Sequence, residues 1–193
     1  MKRLDFKAGA MLSPLPAVMV TVGNGEESNV LTVAWTGILS TDPPRAYISV
    51  RPGRYSHKFL EENGEFVINL TTEALARTTD YVGVYTGKKV DKFEKCRLTA
   101  EKCFKISAPA IAESPLTLEC KLREIIPQGS HDMFIADIVA TGVDESLIDE
   151  KGSLHLGRAN LSAFAHGEYF ELGKTVGSFG YSVRKKKKKS VKK

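Results

Sequence analysis

The sequence is poor in cysteine, and the three it has (Cys96, Cys103 and Cys120) form no C-x-x-C pair. An odd count without that spacing excludes a thiolate zinc site and a disulfide framework, and predicts ordinary reduced thiols. Cys120 lies in "LTLECKL", where strand alternation leaves either face open to it. Long hydrophobic runs are also missing. Nothing approaches the roughly 20 uninterrupted apolar residues that cross a bilayer as a helix, so no membrane partner is expected. The opening "MKRLDFKAGAMLSPLPAVMVTVG" is basic and then apolar, but Pro14 and Pro16 interrupt it and its apolar part alternates as a strand does. A signal peptide is therefore not expected, and the expected compartment is cytoplasmic. The glycine fingerprint of a dinucleotide fold is absent too. "GNGEES" offers G-x-G without the third glycine, a strand pattern follows it, and regular strand–helix alternation is lacking, which excludes a doubly wound sheet.

What is present is ordinary for a globular chain: 193 residues, 42% hydrophobic, enough for one domain with a real core. The net charge of +5 misleads, because "RKKKKKSVKK" (184–193) holds eight of the 28 basic residues and no acid. Without it, 20 basic residues face 23 acidic ones. The chain divides accordingly into a domain over 1–183 and a self-repelling, disordered tail over 184–193. Lysines of such a tail release counterions from nucleic acid, yet the acidic body and the lack of a strand combining aromatic and basic residues argue against a nucleic-acid module.

The body reads mostly as strands. "AVMVTV" and "VLTVAWTGILS" flank the polar turn "GNGEESN" and predict a hairpin. "TDPPR" breaks the chain, because successive prolines remove ladder donors. "AYISV" and "EFVINL" predict further strands, and "SHKFLEEN" predicts a two-turn helix capped by Ser56 and stopped at "NG". "TTEALARTTDYVG" predicts a second helix capped by Thr71 or Thr72, followed by a glycine- and lysine-rich loop, "YTGKKVDKF". "LTLECKLREIIPQ" and "DMFIADIVATGVD" around "GSH" predict a long hairpin. The expected fold is mainly β, an antiparallel barrel with helical insertions.

The densest chemistry is "SVRPGRYSH", Ser49 to His57. Pro52 and Gly53 turn the chain directly after a strand and bring Arg51 and Arg54 close together. Ser56 opens a helix whose free N–H groups and positive dipole end suit an anion. The fork of arginine matches phosphate oxygens, so two of them and a hydroxyl make a phosphate cradle. Read alone, the same stretch is also a solvated turn with a capping serine. Alongside runs "NVLTVAWTG", where Thr32, Ala34 and Thr36 alternate with larger residues. Small side chains let a flat ligand approach the backbone, and Trp35, the single tryptophan, is either core or the border of an aromatic ring.

The order of "PLPAVMVTV", "NVLTVAWTGILSTDPPRAYISVRPGRYSH", "GEFVINL", "TGKKVDKF", "SAPAIAESPLTLECKL" and "GSHDMFIADIV" resembles the flavin reductase-like, FMN-binding split-barrel family, from about Pro14 to Gly180. The forms "AWTGILSTDPP" and "DKF" are most similar to its flavoredoxins. The resemblance implies a homodimeric split barrel binding FMN near the subunit interface. It implies ring contacts on the strand carrying Asn29, Thr32, Val33, Ala34 and Trp35. It implies a phosphate segment at Ser49, Val50, Arg51, Arg54 and Ser56. Lys92 of "DKF" matches a lysine that reaches the cofactor, and His131 and Phe164 match positions bordering the flavin. Taken alone, those three read as a loop lysine, an exposed hairpin-tip residue and a core residue. His131 is the candidate for orienting a reductant or partner. The implied activity is electron transfer through bound flavin, either as an NAD(P)H:flavin oxidoreductase or as a carrier between redox proteins. No nicotinamide-binding motif decides between them.

Overall fold

The apolar run after Pro16 becomes the first strand, β1 (Val18–Gly23), buried along its whole length. The structure is a computed structural model and describes residues 1–24 and 27–184; residues 185–193, most of the expected basic tail, lie outside the described residues. The chain continues through β2 (Ser28–Val33), β3 (Thr36–Thr41), β4 (Pro44–Val50), helix α1 (Tyr55–Asn63), β5 (Glu65–Asn69), helices α2 (Ala76–Val84) and α3 (Lys92–Cys96), the two-residue strands β6 (Ala100–Glu101) and β7 (Ala110–Ile111), the long pair β8 (Leu116–Pro127) and β9 (Asp132–Val143), and a final hairpin of β10 (Ser162–Ala165) and β11 (Glu168–Glu171). Seven strands form one sheet in the order β2-β1-β5-β8-β9-β4-β3. Every neighbouring pair is antiparallel, so the expected mainly-β class is borne out.

Alternation sorts the side chains. Val18, Val20 and Val22 of β1 join Leu31, Val33, Ile48, Phe66, Cys120 and Phe134 inside the barrel. Met19, on the other face of β1, packs with Val30, Val82, Leu98 and Ile111, where α2 and α3 cover the sheet. Phe66 and Phe134 are fully buried, and burial of each such side chain stabilises the fold by about 1.5–3 kcal/mol. Among the described residues no helix is long and apolar enough to cross a membrane.

Five local expectations are corrected. The stretch expected as one strand, "VLTVAWTGILS", splits at Ala34 and Trp35, because β2 pairs only with β1 while β3 pairs only with β4. These two edge strands of the sheet are consecutive in the chain, so Ala34–Trp35 spans the seam where the sheet curls back and β2 meets β4. The double proline does not end a structural unit: Asp42 and Pro43 form the turn between β3 and β4, with Thr41 opposite Pro44. Ser56 does not cap α1. Arg54 holds the N-cap position without a side-chain cap, and Ser56 is buried one residue inside the helix. The second helix begins with a 3-10 turn over Glu73–Leu75, for which Thr72 is the N-cap without a side-chain bond, while Thr71 donates to the Ala17 carbonyl. Finally, "DKF" is not all loop: Asp91 accepts from the Glu94 N–H and caps α3.

Candidate functional site

The turn after β4 is held by the Arg54 N–H donating to the Arg51 carbonyl, 3.0 Å away. This brings two guanidinium-bearing residues to the N-terminal end of α1. No acidic residue occupies the first turn of that helix, and its leading N–H groups lack intrahelical partners. Arg54 also donates from Nη1 to the carbonyl of Gly83 in α2, at 2.9 Å. Arg51 is exposed, and its guanidinium has no acceptor among the described residues.

Three adjoining hollows meet at Arg54. The first runs along Thr32, Ala34 and Trp35 on the seam, faces Ser49 and Arg51, and is bordered by His131. Val33 and Val50 border it as well, but both are buried members of the barrel core. The second is lined by Asn29, Ser56 and Lys92, with Tyr85 and Gly87 opposite. The third joins Thr32 and Ala34 to Phe164, Gly83 and Tyr169. The residues that the resemblance implies as site residues therefore line hollows that share Arg54, whereas Thr36 lines none of them. Phe164 reaches the third because Leu15 and Phe164 exchange two backbone hydrogen bonds of 2.8 Å, which fasten the β10–β11 hairpin beside β1.

The polar groups of the region are partly committed to the fold. Asn29 donates to the Ser56 hydroxyl oxygen at 2.7 Å, which leaves Ser56 its own O–H proton as a donor. Thr32 donates to the Thr79 carbonyl, and Thr36, expected as part of the open strip, is buried and donates to the Tyr47 carbonyl. Lys92 is buried, contrary to a loop lysine, and its Nζ donates to the carbonyls of Val30 (2.7 Å) and Val82 (2.8 Å). An ammonium has three donors, so one N–H of Lys92 has no acceptor among the described residues. Burial, and then the charge of Arg54, lower its pKa to about 8.

Trp35 is 41% exposed rather than core. The strand break at the seam turns it out of the interior that Leu31 and Val33 occupy. The His131 ring lies against it, centroids 4.5 Å apart, and His131 Nδ1 is 2.9 Å from the Ser130 hydroxyl. Burial first, then Arg51 and Arg54, push the His131 pKa below its ordinary value, against a smaller opposing effect of Asp132.

Sequence reasoning missed Gly83, Gly87, Tyr85 and Tyr169. A Cβ on Gly87 would fall 2.4 Å from Asn29 Oδ1, so only glycine lets that loop close on β2. The "TGKK" glycine was the available signal. Cys103 and Cys120 lie outside the region, buried, their thiols pushed up to about 12 chiefly by burial. The donor set as a whole, two guanidiniums, a helix N-terminus, a spare ammonium proton and a hydroxyl, is chemically matched to an anion beside a flat strip of strand.

Residues 11–172 match the flavin reductase like domain. The chain belongs to that family. Flavoredoxin of Desulfovibrio vulgaris (Miyazaki F) superposes with a TM-score of 0.88 at 27% identity, covering 95% of this chain and 100% of that one. An uncharacterised protein of Archaeoglobus fulgidus is 30% identical over 144 residues, which is 75% of this chain and 81% of its own. The NADPH-flavin oxidoreductase of Streptomyces viridifaciens is 25% identical over 146 residues, 74% of each chain. Family and relatives together support a flavin-related redox role.

Proposed function

We propose that the 1–183 domain binds FMN in the region around Arg54 and transfers electrons through it. The observation that carries this reading is the pair Arg51 and Arg54 at the start of a helix with no acid in its first turn. A nucleotide's phosphate carries about −1.5 to −2 charges at pH 7 and is matched by that donor set. The relatives' flavin chemistry supplies the ring.

When bound, FMN supplies hydride and electron-transfer chemistry through its ring. The chain's part is to bind, orient and polarise. Arg51, Arg54 and the helix N-terminus take the phosphate, while Lys92, Asn29 and Ser56 face the polar chain between phosphate and ring. Main-chain N–H groups of the Thr32–Trp35 strip are assigned to the ring edge, where donors stabilise developing negative charge. Trp35 and Phe164 border the ring. His131, its ring against Trp35, orients the incoming reductant or redox partner. Exposed Trp35, Ile38, Leu39, Phe170 and Leu172 lie outside the core, and apolar surface of that kind supports a second copy of the chain as its cover.

The flavoredoxin likeness across nearly the whole chain favours a tightly held flavin that carries electrons between proteins. The similarity to an NADPH-flavin oxidoreductase favours turnover with NAD(P)H. Anaerobic absorbance separates the two. Bleaching of the flavin-loaded protein by reduced ferredoxin but not by NADH or NADPH identifies the carrier. Rapid bleaching by NADH or NADPH with turnover of free flavin identifies the reductase. A protein that takes up no FMN overturns the proposal.

A further inference from the structure

The proposed site has two ends that belong to different parts of the chain. The arginine cradle sits on the turn into α1. The Trp35 edge is covered by His131, at the tip of the β8–β9 hairpin. One buried side chain joins them. His57, the third residue of α1, is only 6% exposed. Its Nε2 lies 2.7 Å from Asp132 Oδ2, its Nδ1 lies 3.2 Å from Glu61 Oε2, and its ring meets Phe134 edge-on at 5.1 Å.

Asp132 is the residue directly after His131. It opens β9 and is registered between Val50, the last residue of β4, and Pro127, the last of β8. The tip above it is closed by the Gln128 N–H donating to the His131 carbonyl, at 2.8 Å. The ladders to β4 and β8 hold the backbone at the base of this tip, while Gln128, Gly129 and Ser130 above it are exposed. The His57–Asp132 bond fixes its base to the same helix that begins at the cradle.

We infer that His57 and Asp132 form a positioning pair, which sets the His131–Trp35 edge in register with the arginine cradle. The inference rests on the FMN reading above for its functional consequence, but not for its geometry. Neither residue lines the hollows, so the pair acts through His131 and Arg54 rather than on a ligand.

The protein's only tryptophan makes the geometry measurable without flavin, because Trp35 emission reports the imidazole beside it. His57→Phe keeps a ring against Phe134 and removes both nitrogens, while His57→Gln restores one polar group toward Asp132. In flavin-free protein, His57→Phe is expected to shift Trp35 emission toward that of His131→Ala, and His57→Gln to return it toward the parent. With flavin, His57→Phe is expected to weaken FMN binding about tenfold, because misplacing one end of a two-ended site forfeits simultaneous contact. Riboflavin, which engages one end only, is expected to change much less. Should His57→Phe fail to fold by circular dichroism, Asp132→Ala carries the same readouts from the hairpin side. A folded variant with parental Trp35 emission overturns the pair. A shifted emission in a protein that takes up no FMN upholds the pair while refuting the FMN reading.

Discussion

Replacing Arg51 by alanine is the cleanest perturbation of the proposed cradle. Arg54 also holds the Gly83 carbonyl, so its removal loosens α2 as well as the site. Arg51 is exposed and its guanidinium has no acceptor among the described residues. Its removal is therefore expected to leave stability within about 0.5 kcal/mol of the parent. A charge-assisted hydrogen bond contributes about 1.5–3 kcal/mol net, and every 1.4 kcal/mol or so is tenfold in Kd. Loss of one arginine–phosphate contact thus predicts FMN binding weaker by about 10–100-fold. Because Arg51 is open to solvent, salt screening places the loss near tenfold at about 0.15 M salt and higher at lower salt. Riboflavin has no phosphate, so its affinity should change by less than about twofold, a loss confined to the phosphate contact being the signature of charge recognition. The assay is quenching of flavin fluorescence, titrated with FMN and riboflavin in parallel at two salt concentrations. Proton NMR gives an independent check: removing a cation that disfavours the His131 imidazolium should raise that residue's pKa. Unchanged FMN affinity, or an equal loss for both flavins, would refute the reasoning.

Two further outcomes concern buried groups. The Lys92 amine titrates at about 8 in the fold against 10.5 ordinarily, so the unfolded chain binds its proton more tightly and this group's contribution to stability rises with pH across that window. Melting temperatures of the parent and Lys92→Met should therefore diverge in the parent's favour between about pH 8 and 10.5, and a constant gap would contradict the burial of an unpaired ammonium. Cys103 and Cys120, pushed up to about 12, hold about one part in ten thousand of thiolate at pH 8. Iodoacetamide should leave both unmodified by mass spectrometry until urea unfolds the protein, and stoichiometric labelling of either in the native state would show that the thiol is not buried.

Where local chemistry decides the structure, the sequence was readable. The β8–β9 hairpin announces itself as two long apolar runs around "GSH". The turn at Pro52–Gly53 follows from those two residues, and with it the closeness of Arg51 and Arg54. The errors fall where tertiary structure overrides local pattern. No glycine or proline marks the break at Ala34–Trp35; it exists because the chain must pass from one edge of the sheet to the other. Ser56 looks like a cap because serine usually is one, yet the turn runs straight into the helix and Asn29, 27 residues away in sequence, takes its oxygen. The five-residue α3 was hidden in a lysine-rich run, although Asp91 and Glu94 carry its capping signal in the sequence itself. Gly83 and Tyr169 reach the region by long-range packing, for which a single sequence holds no spacing rule.

The charge arrangement around Arg54 makes more sense as a binding device than as a stabilising one. Arg51, Arg54 and Lys92 border the first two hollows, and no carboxylate lines either of them among the described residues. Asp80 lines only the third hollow, where the Tyr169 hydroxyl donates to it at 3.5 Å, while Asp132 faces His57, and Glu27 takes the Tyr55 hydroxyl at 2.7 Å. Burial first, and then repulsion within the group, hold Lys92 and His131 below their ordinary values, with Arg54 a contributor to both. A fold selected for stability alone would place an acid there, since like charges left facing each other cost free energy. A doubly charged anion at the head of α1 would offset that repulsion and raise both pKa values as it arrived. That coupling would centre on Arg54, which lines all three hollows.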